Sequence, residues 1–176
     1  MSKNKITPIN EEAFFESDEI IVSKTDSKGK IVYANDVFCR IAEMNTSDVL
    51  GQPHNIIRHP DMPRAVFKLL WDTIDAGKEI FAYVKNMSKS GRFYWVIAHV
   101  TPSFDQFGAV DGYHSNRRVP SRKAVEAISK LYAVLLNEEK KHSNAKNALD
   151  SSYALLERTL DEHGVTYSQF VWSIGE

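Results

Sequence analysis

The chain has 176 residues, 43% of them hydrophobic and 26% charged, with a formal net charge of −1. That length supports one good core and an appendage, and the near-neutral balance argues against nucleic acid as a partner. A lone cysteine, Cys39, excludes an internal disulfide and suits a reducing cytoplasm, while no apolar run reaches bilayer-spanning length.

The polar start MSKNKITPINEE lacks a signal-peptide apolar core, so the expectation is a soluble cytoplasmic protein without direct membrane insertion. TPINEEAFFESD predicts a short N-terminal helix, with Thr7 as cap, Pro8 at the first helical position, and Glu11 and Glu12 near the positive end of the dipole. EIIVSKTDSKGKIVYAND predicts a hairpin turning at DSKG. Asn35 or Asp36 can cap a helix over VFCRIAEM, which aligns Phe38, Ile41 and Ala42 on one face.

GQPHNIIRHPDMPRAVFKLLW, residues 51–71, follows. It sets two histidines, an arginine and an aspartate among three prolines, where a plain connector favours Gly, Ser and Asn. Pro63 then starts a helix with Val66, Phe67, Leu70 and Ile74 at helical spacing and Gly77 as its C-terminal cap. Three β-rich runs come next: EIFAYVKNMS, RFYWVIAHVTPSF and AVDGYHSNRRV. Two strands, helices and three strands give an α+β class with one five-stranded antiparallel sheet, helices on one face and a pocket between the layers.

After Pro120 the apolar residues Val125, Ile128, Tyr132 and Leu135 step three and four, and the same phase resumes at Leu149, Tyr153, Leu156 and Leu160. The seam between them is polar at Glu139, His142 and Lys146, the place for one long helix to bend or for two to stack. The division expected is an N-terminal helical cap over 1–19, a sensor domain over 20–119, and a C-terminal helical signalling or partner-binding extension over 120–176.

GQPHNIIRHPDMP, followed by Trp71, VKN, SGRFYWV and GYHSNRR, resembles the flavin-binding PAS domain of bacterial aerotaxis receptors. The chain looks more like the soluble PAS partner of a two-protein energy-taxis system, in which a separate membrane chemoreceptor supplies the signalling. The resemblance implies non-covalently bound FAD whose redox state is the signal, and no turnover of substrate. It implies FAD contacts at Arg58, His59, Asp61, Trp71, Asn86 and Tyr94, with weaker matches at Asn35 and Phe67. The chain departs from the family at His114, where receptors of this type often carry Met; by analogy with light-sensing flavin domains His114 would face flavin N5, the alternative being an outward-facing ring that bonds nothing important.

The residues alone leave alternatives open. Arg58 supplies a fork for a pyrophosphate, and Asp61 either holds Arg58 or His59 or closes a self-satisfied salt-bridged turn. Asn86 matches a flavin edge or bonds a neighbouring backbone group. Trp71 and Tyr94 serve equally as plain core. Cys39 lies on an earlier helix than the cysteine of photochemical flavin domains, which argues against a light-driven thiol adduct. His54 and His59 make a weak metal pair, whereas six histidines keep haem as an alternative ligand, beside a cofactor-free PAS adaptor. A homodimer and a receptor-bound monomer both remain compatible with the seam.

Overall fold

The computed structural model describes residues 6–175; Met1–Lys5 and Glu176, the outermost parts of the expected terminal segments, lie outside them. The chain forms β1 (Ile21–Asp26), β2 (Ile31–Ala34), α1 (Asp36–Ala42), α2 (Thr46–Val49), a 3-10 turn over His54–Ile57, and α3 (Arg64–Asp75). Then follow β3 (Ile80–Met87), β4 (Phe93–Phe104), β5 (Val110–Arg118), α4 (Arg122–Lys140), α5 (Ala145–Glu162) and α6 (Tyr167–Gly175). The five strands make one antiparallel sheet in the order β2-β1-β5-β4-β3, as the α+β reading expects.

Local chemistry sets the turns. Asp26 Oδ1 accepts from Lys28 N at 2.9 Å and Lys30 N at 2.8 Å, which closes the β1–β2 hairpin. Helix α3 stops where Gly77, at φ 75°, donates to the Ile74 carbonyl at 3.0 Å, a conformation glycine adopts without Cβ strain.

The expected N-terminal helix does not form. Residues 6–19 contain no helix, and Glu12 bridges Phe93 in parallel. Ala13 N donates to the Phe93 carbonyl at 2.7 Å, and Phe93 N to the Glu11 carbonyl at 2.9 Å. The cause is β4, which pairs with β5 only from Ile97 onward. Its first residues would leave unpaired backbone, and a nearby extended segment satisfies them better than a short, marginal helix could. Gly91 permits the approach, because a Cβ there would collide with the Thr7 carbonyl oxygen.

Helices cover both faces of the sheet. Helices α1 to α3 flank the inner face, whereas α4 and α6 lie on the outer one. There Tyr132 Oη donates to the Tyr83 carbonyl at 2.6 Å, and Trp95 stacks on Tyr132 at 6.3 Å between centroids. Phe81 meets Trp172 of α6 at 4.7 Å. The helical seam breaks in its polar middle. Asn144 accepts from Lys146 N and Asn147 N, which starts α5 anew, and α5 turns back along α3. Ile128, Tyr132, Leu135 and Leu156 are buried within this one chain, so the heptad phase marks an intramolecular hairpin.

Candidate functional site

A cavity of about 270 Å³ lies between the inner face of the sheet and α3. Its size is near the lower end for small-ligand pockets. The sheet contributes Ser23 and Thr25 from β1, Val84 and Asn86 from β3, Ala98 and Val100 from β4, and Tyr113, Ser115 and Arg117 from β5. Each set steps by two, because alternate strand residues share a face. Helix α3 adds Phe67, Leu70, Trp71 and Ile74, and residues 53–58 supply Pro53, His54, Asn55, Ile57 and Arg58. Lys28 and Gly29 complete the wall.

The chemistry concentrates on Arg117, which is 3% exposed. Its Nη2 donates to Ser23 Oγ at 2.8 Å and to His54 Nε2 at 2.6 Å. Burial lowers the Arg117 pKa to about 10, so the guanidinium stays charged at neutral pH. Burial, then the Arg117 charge, push His54 down to about 3, which leaves Nε2 a neutral acceptor. Part of the His54 surface borders the cavity, so the ring is only half-buried by area.

Arg117 Nη1, Ser115 Oγ and Thr25 Oγ1 are buried without a hydrogen-bond partner, and all three residues line this cavity. Orphaned polar atoms are costly, and their convergence on one void points to a bound group. No Asp or Glu stands in the wall, which holds Lys28, Arg58 and Arg117. The lining therefore suits an anionic ligand with a broad apolar body.

Of the expected site residues, Arg58, Phe67, Trp71 and Asn86 come together here. Arg58 and Asn86 are bridged backbone to backbone at the β3 edge. The Arg58 guanidinium sits 3.9 Å from the Phe67 ring centroid, and Nη2 donates to the Met62 carbonyl at 3.3 Å. Trp71, 37% exposed, stands at the rim and meets Tyr113 edge-on at 5.4 Å. Tyr113 in turn hydrogen-bonds Asp75.

The other five do not line the cavity. His59, 3% exposed, accepts through Nδ1 from Asp61 N at 3.1 Å, and its ring meets Phe93 edge-on at 6.3 Å. Asp61 pairs with Lys85 at 3.0 Å. The two close the RHPDMP turn on itself and present Arg58 inward, the self-satisfied arrangement weighed from sequence. Asn35 caps α1 by accepting from Phe38 N at 3.0 Å, accepts from Val22 N at 3.0 Å and donates to the Ile20 carbonyl at 2.8 Å. Tyr94 is buried on the inner face, where desolvation raises its phenol well above the ordinary value.

His114 corrects an expectation. It lies between Lys24 and Thr101 in the sheet, on the face opposite Tyr113 and Ser115, because a strand reverses its side chains at every step. It therefore does not face the cavity. Ser23, Ser115 and Arg117 escaped the sequence reading, and His54 was weighed there only as half of a weak metal pair; the period-two row Tyr113, Ser115, Arg117 in GYHSNRR was the signal that could have found the two β5 residues.

A family profile described as the PAS fold matches residues 31–116. The aerotaxis receptor of Escherichia coli (strain K12) is 37% identical over 118 residues, covering 67% of this chain and 23% of the receptor. Phototropin-1A of Oryza sativa subsp. japonica is 32% identical over 80 residues, 46% of this chain and 9% of the phototropin. The chain thus spans at most about a quarter of these curated relatives. A light-oxygen-voltage domain studied with a flavin analogue superposes with a TM-score of 0.53 at 22% identity, covering 70% of this chain and 87% of that one. Strand order, hairpin register, profile and receptor similarity agree: this chain carries a PAS sensor domain of the aerotaxis-receptor type.

Proposed function

We propose that the chain is a soluble cytoplasmic redox sensor that holds FAD in the cavity and reports the flavin's redox state to a membrane chemoreceptor. The observation that carries this reading is the buried, charged Arg117 with a free Nη1, beside the unpartnered hydroxyls of Thr25 and Ser115, in a wall without carboxylates. Val84, Ala98 and Val100 on one side and Phe67, Leu70 and Ile74 on the other would hold a flat ring system. Asn86, Ser115 and Arg117 would meet its polar edge, and Arg58 and Lys28 would take the phosphates. Bound flavin would supply reversible electron uptake. The similarity to an aerotaxis receptor supports that assignment.

Signal output is assigned to α4 and α6, whose contacts with Tyr83 and Phe81 join the outer face of β3 to the C-terminal helices. Among the described residues no helix is long and apolar enough to cross a membrane. Haem fits less well. His54, the histidine of the wall, has Nε2 engaged by Arg117. The test is the absorption spectrum of the full chain as purified and after incubation with FAD, FMN or haemin. Flavin bands with retention of FAD are expected. A Soret band, or no retention of either flavin, would overturn the proposal.

A further inference from the structure

Helix α3 begins after Pro63 without a capping side chain from its own segment. The acceptor comes from α4. Glu139 Oε1 accepts from Arg64 N at 2.6 Å and from Ala65 N at 3.4 Å. Those amides are the positive end of the helix, and a carboxylate there is worth more than a neutral cap. Arg64 Nη1 also donates to the Ala145 carbonyl at 3.4 Å, which ties the start of α5 to the same corner. The α4–α5 hairpin is thus fastened to α3 at the end nearest the RHPDMP turn.

Arg58 belongs to this corner as well as to the cavity. Burial lowers its pKa, the Glu139 carboxylate opposes that shift, and Arg64 adds to it. Its Nη2 donates to the Met62 carbonyl, and among the described residues no carboxylate is hydrogen-bonded to the guanidinium. Met62, whose carbonyl Arg58 holds, stands two residues before the Arg64 amide that Glu139 caps, so the carboxylate that seats the hairpin shares one corner with a cavity-lining cation.

We propose that Glu139 is a positioning residue that couples occupancy of the cavity by an anionic nucleotide to the seating of the α4–α5 hairpin on α3. The inference rests on the flavin-nucleotide reading of the cavity. A phosphate engaging Arg58 brings negative charge into the corner that holds the Glu139 carboxylate, and the two anions oppose one another. The hairpin is less firmly seated when the nucleotide is bound. Coupling of this kind is reciprocal, so the seated hairpin weakens nucleotide binding by the same factor. A partly exposed charge pair supports a factor of about three to five.

The test uses the full chain with FAD, which carries a pyrophosphate, and riboflavin, which carries none. Glu139→Gln keeps an acceptor for Arg64 N and removes the charge. It should bind FAD about three- to fivefold more tightly at low salt and riboflavin with unchanged affinity. In the wild-type chain, FAD should speed hydrogen exchange at the Arg64 and Ala65 amides and across 138–147, and riboflavin should not; this arm needs no variant. FAD affinity unchanged in Glu139→Gln, or exchange that ignores FAD while flavin demonstrably binds, would overturn the coupling and leave the sensor reading intact. Failure of the wild-type chain to bind either flavin would overturn both.

Discussion

Arg117 Nη2 donates to His54 Nε2 at 2.6 Å, so the last strand of the sheet grips the 3-10 turn through a single buried nitrogen. Ser23 Oγ stands 2.8 Å from Arg117 Nη2 and 3.1 Å from His54 Nε2, which brings β1 into the same knot. Three segments far apart in sequence thus converge on one charge. The charge has hydrogen-bonding neutral partners and no countercharge in the wall, an arrangement that costs stability unless a ligand completes it.

The first prediction follows from that imbalance. Arg117→Met removes a buried charge and keeps much of the volume. Without cofactor, its thermal midpoint should equal or exceed that of the wild type. Retention of FAD should fall at least about tenfold, because a charge-assisted hydrogen bond is lost. Calorimetry and a flavin titration read the two effects separately. A variant that is strongly destabilised yet binds FAD normally would show that Arg117 serves the fold alone.

Strand parity gives the second. His114→Met should leave FAD affinity and the midpoint potential within error of the wild type, since residue 114 lies on the face away from the cavity. Ser115→Val, one step along β5, fills the wall with a methyl and removes an orphan hydroxyl. It should shift the flavin absorption bands and weaken binding about tenfold. Redox titration and difference spectra of the two variants make the comparison. The opposite ranking would mean that β5 is read in the wrong register.

A third prediction concerns pH. Burial, then the Lys85 charge, push His59 down to about 4, with Asp61 opposing. His54 is lower still, at about 3. Both pKa values are depressed in the fold from an ordinary 6.5, so between those limits the unfolded chain binds more protons than the native one. Stability therefore rises with pH across that window and is lost as pH falls from 6.5 towards 4. Each histidine contributes at most about 1.4 kcal/mol per pH unit there. Urea midpoints from pH 7 to 4 should trace the decline, and His59→Gln should flatten it by about one proton. A flat profile in the wild type would contradict the lowered pKa of both rings.

The fourth tests the C-terminal hairpin. Leu135 and Leu156 are almost fully buried, on α4 and α5 respectively. Leu156→Glu places a carboxylate in an apolar contact and should cost about 3 kcal/mol or more. Limited proteolysis should then cut at residues 141–144, between the two helices, while the strands remain protected. Leu135→Glu, on the outer face of the sheet, should lower the midpoint of the whole domain. Unchanged protease patterns in both would mean that the seam is solvated surface.

Most of the architecture was legible from residue order because each element carried its own punctuation. Asp26 and Gly29 marked one hairpin, Pro63 and Gly77 bounded α3, and the aromatic β-branched runs became β3 to β5. The polar stretch around His142 foretold the break between α4 and α5. The N-terminal segment defeated the same logic. Thr7, Pro8 and the glutamates favour a helix locally, yet the unpaired start of β4 claims residues 9–13 as a pairing partner. Such a demand is set by how far one strand overhangs its neighbour, which no local pattern records.

The candidate site divides in the same way. Sequence by itself determined which residues are polar enough to hold a ligand and, through period two and period 3.6, which share a face. Arg58, Phe67, Trp71 and Asn86 were found on that basis together with the family resemblance. Tertiary structure alone decided which face looks inward and which distant segments meet. It turned His59 and Asp61 into a brace for their own turn, sent His114 outward, and set Arg117 against His54 and Ser23. The physical reason is that periodicity fixes only relative direction along one element. The absolute direction comes from the burial of competing faces, and a buried charge finds its partners only when strands from opposite ends of the chain are brought side by side.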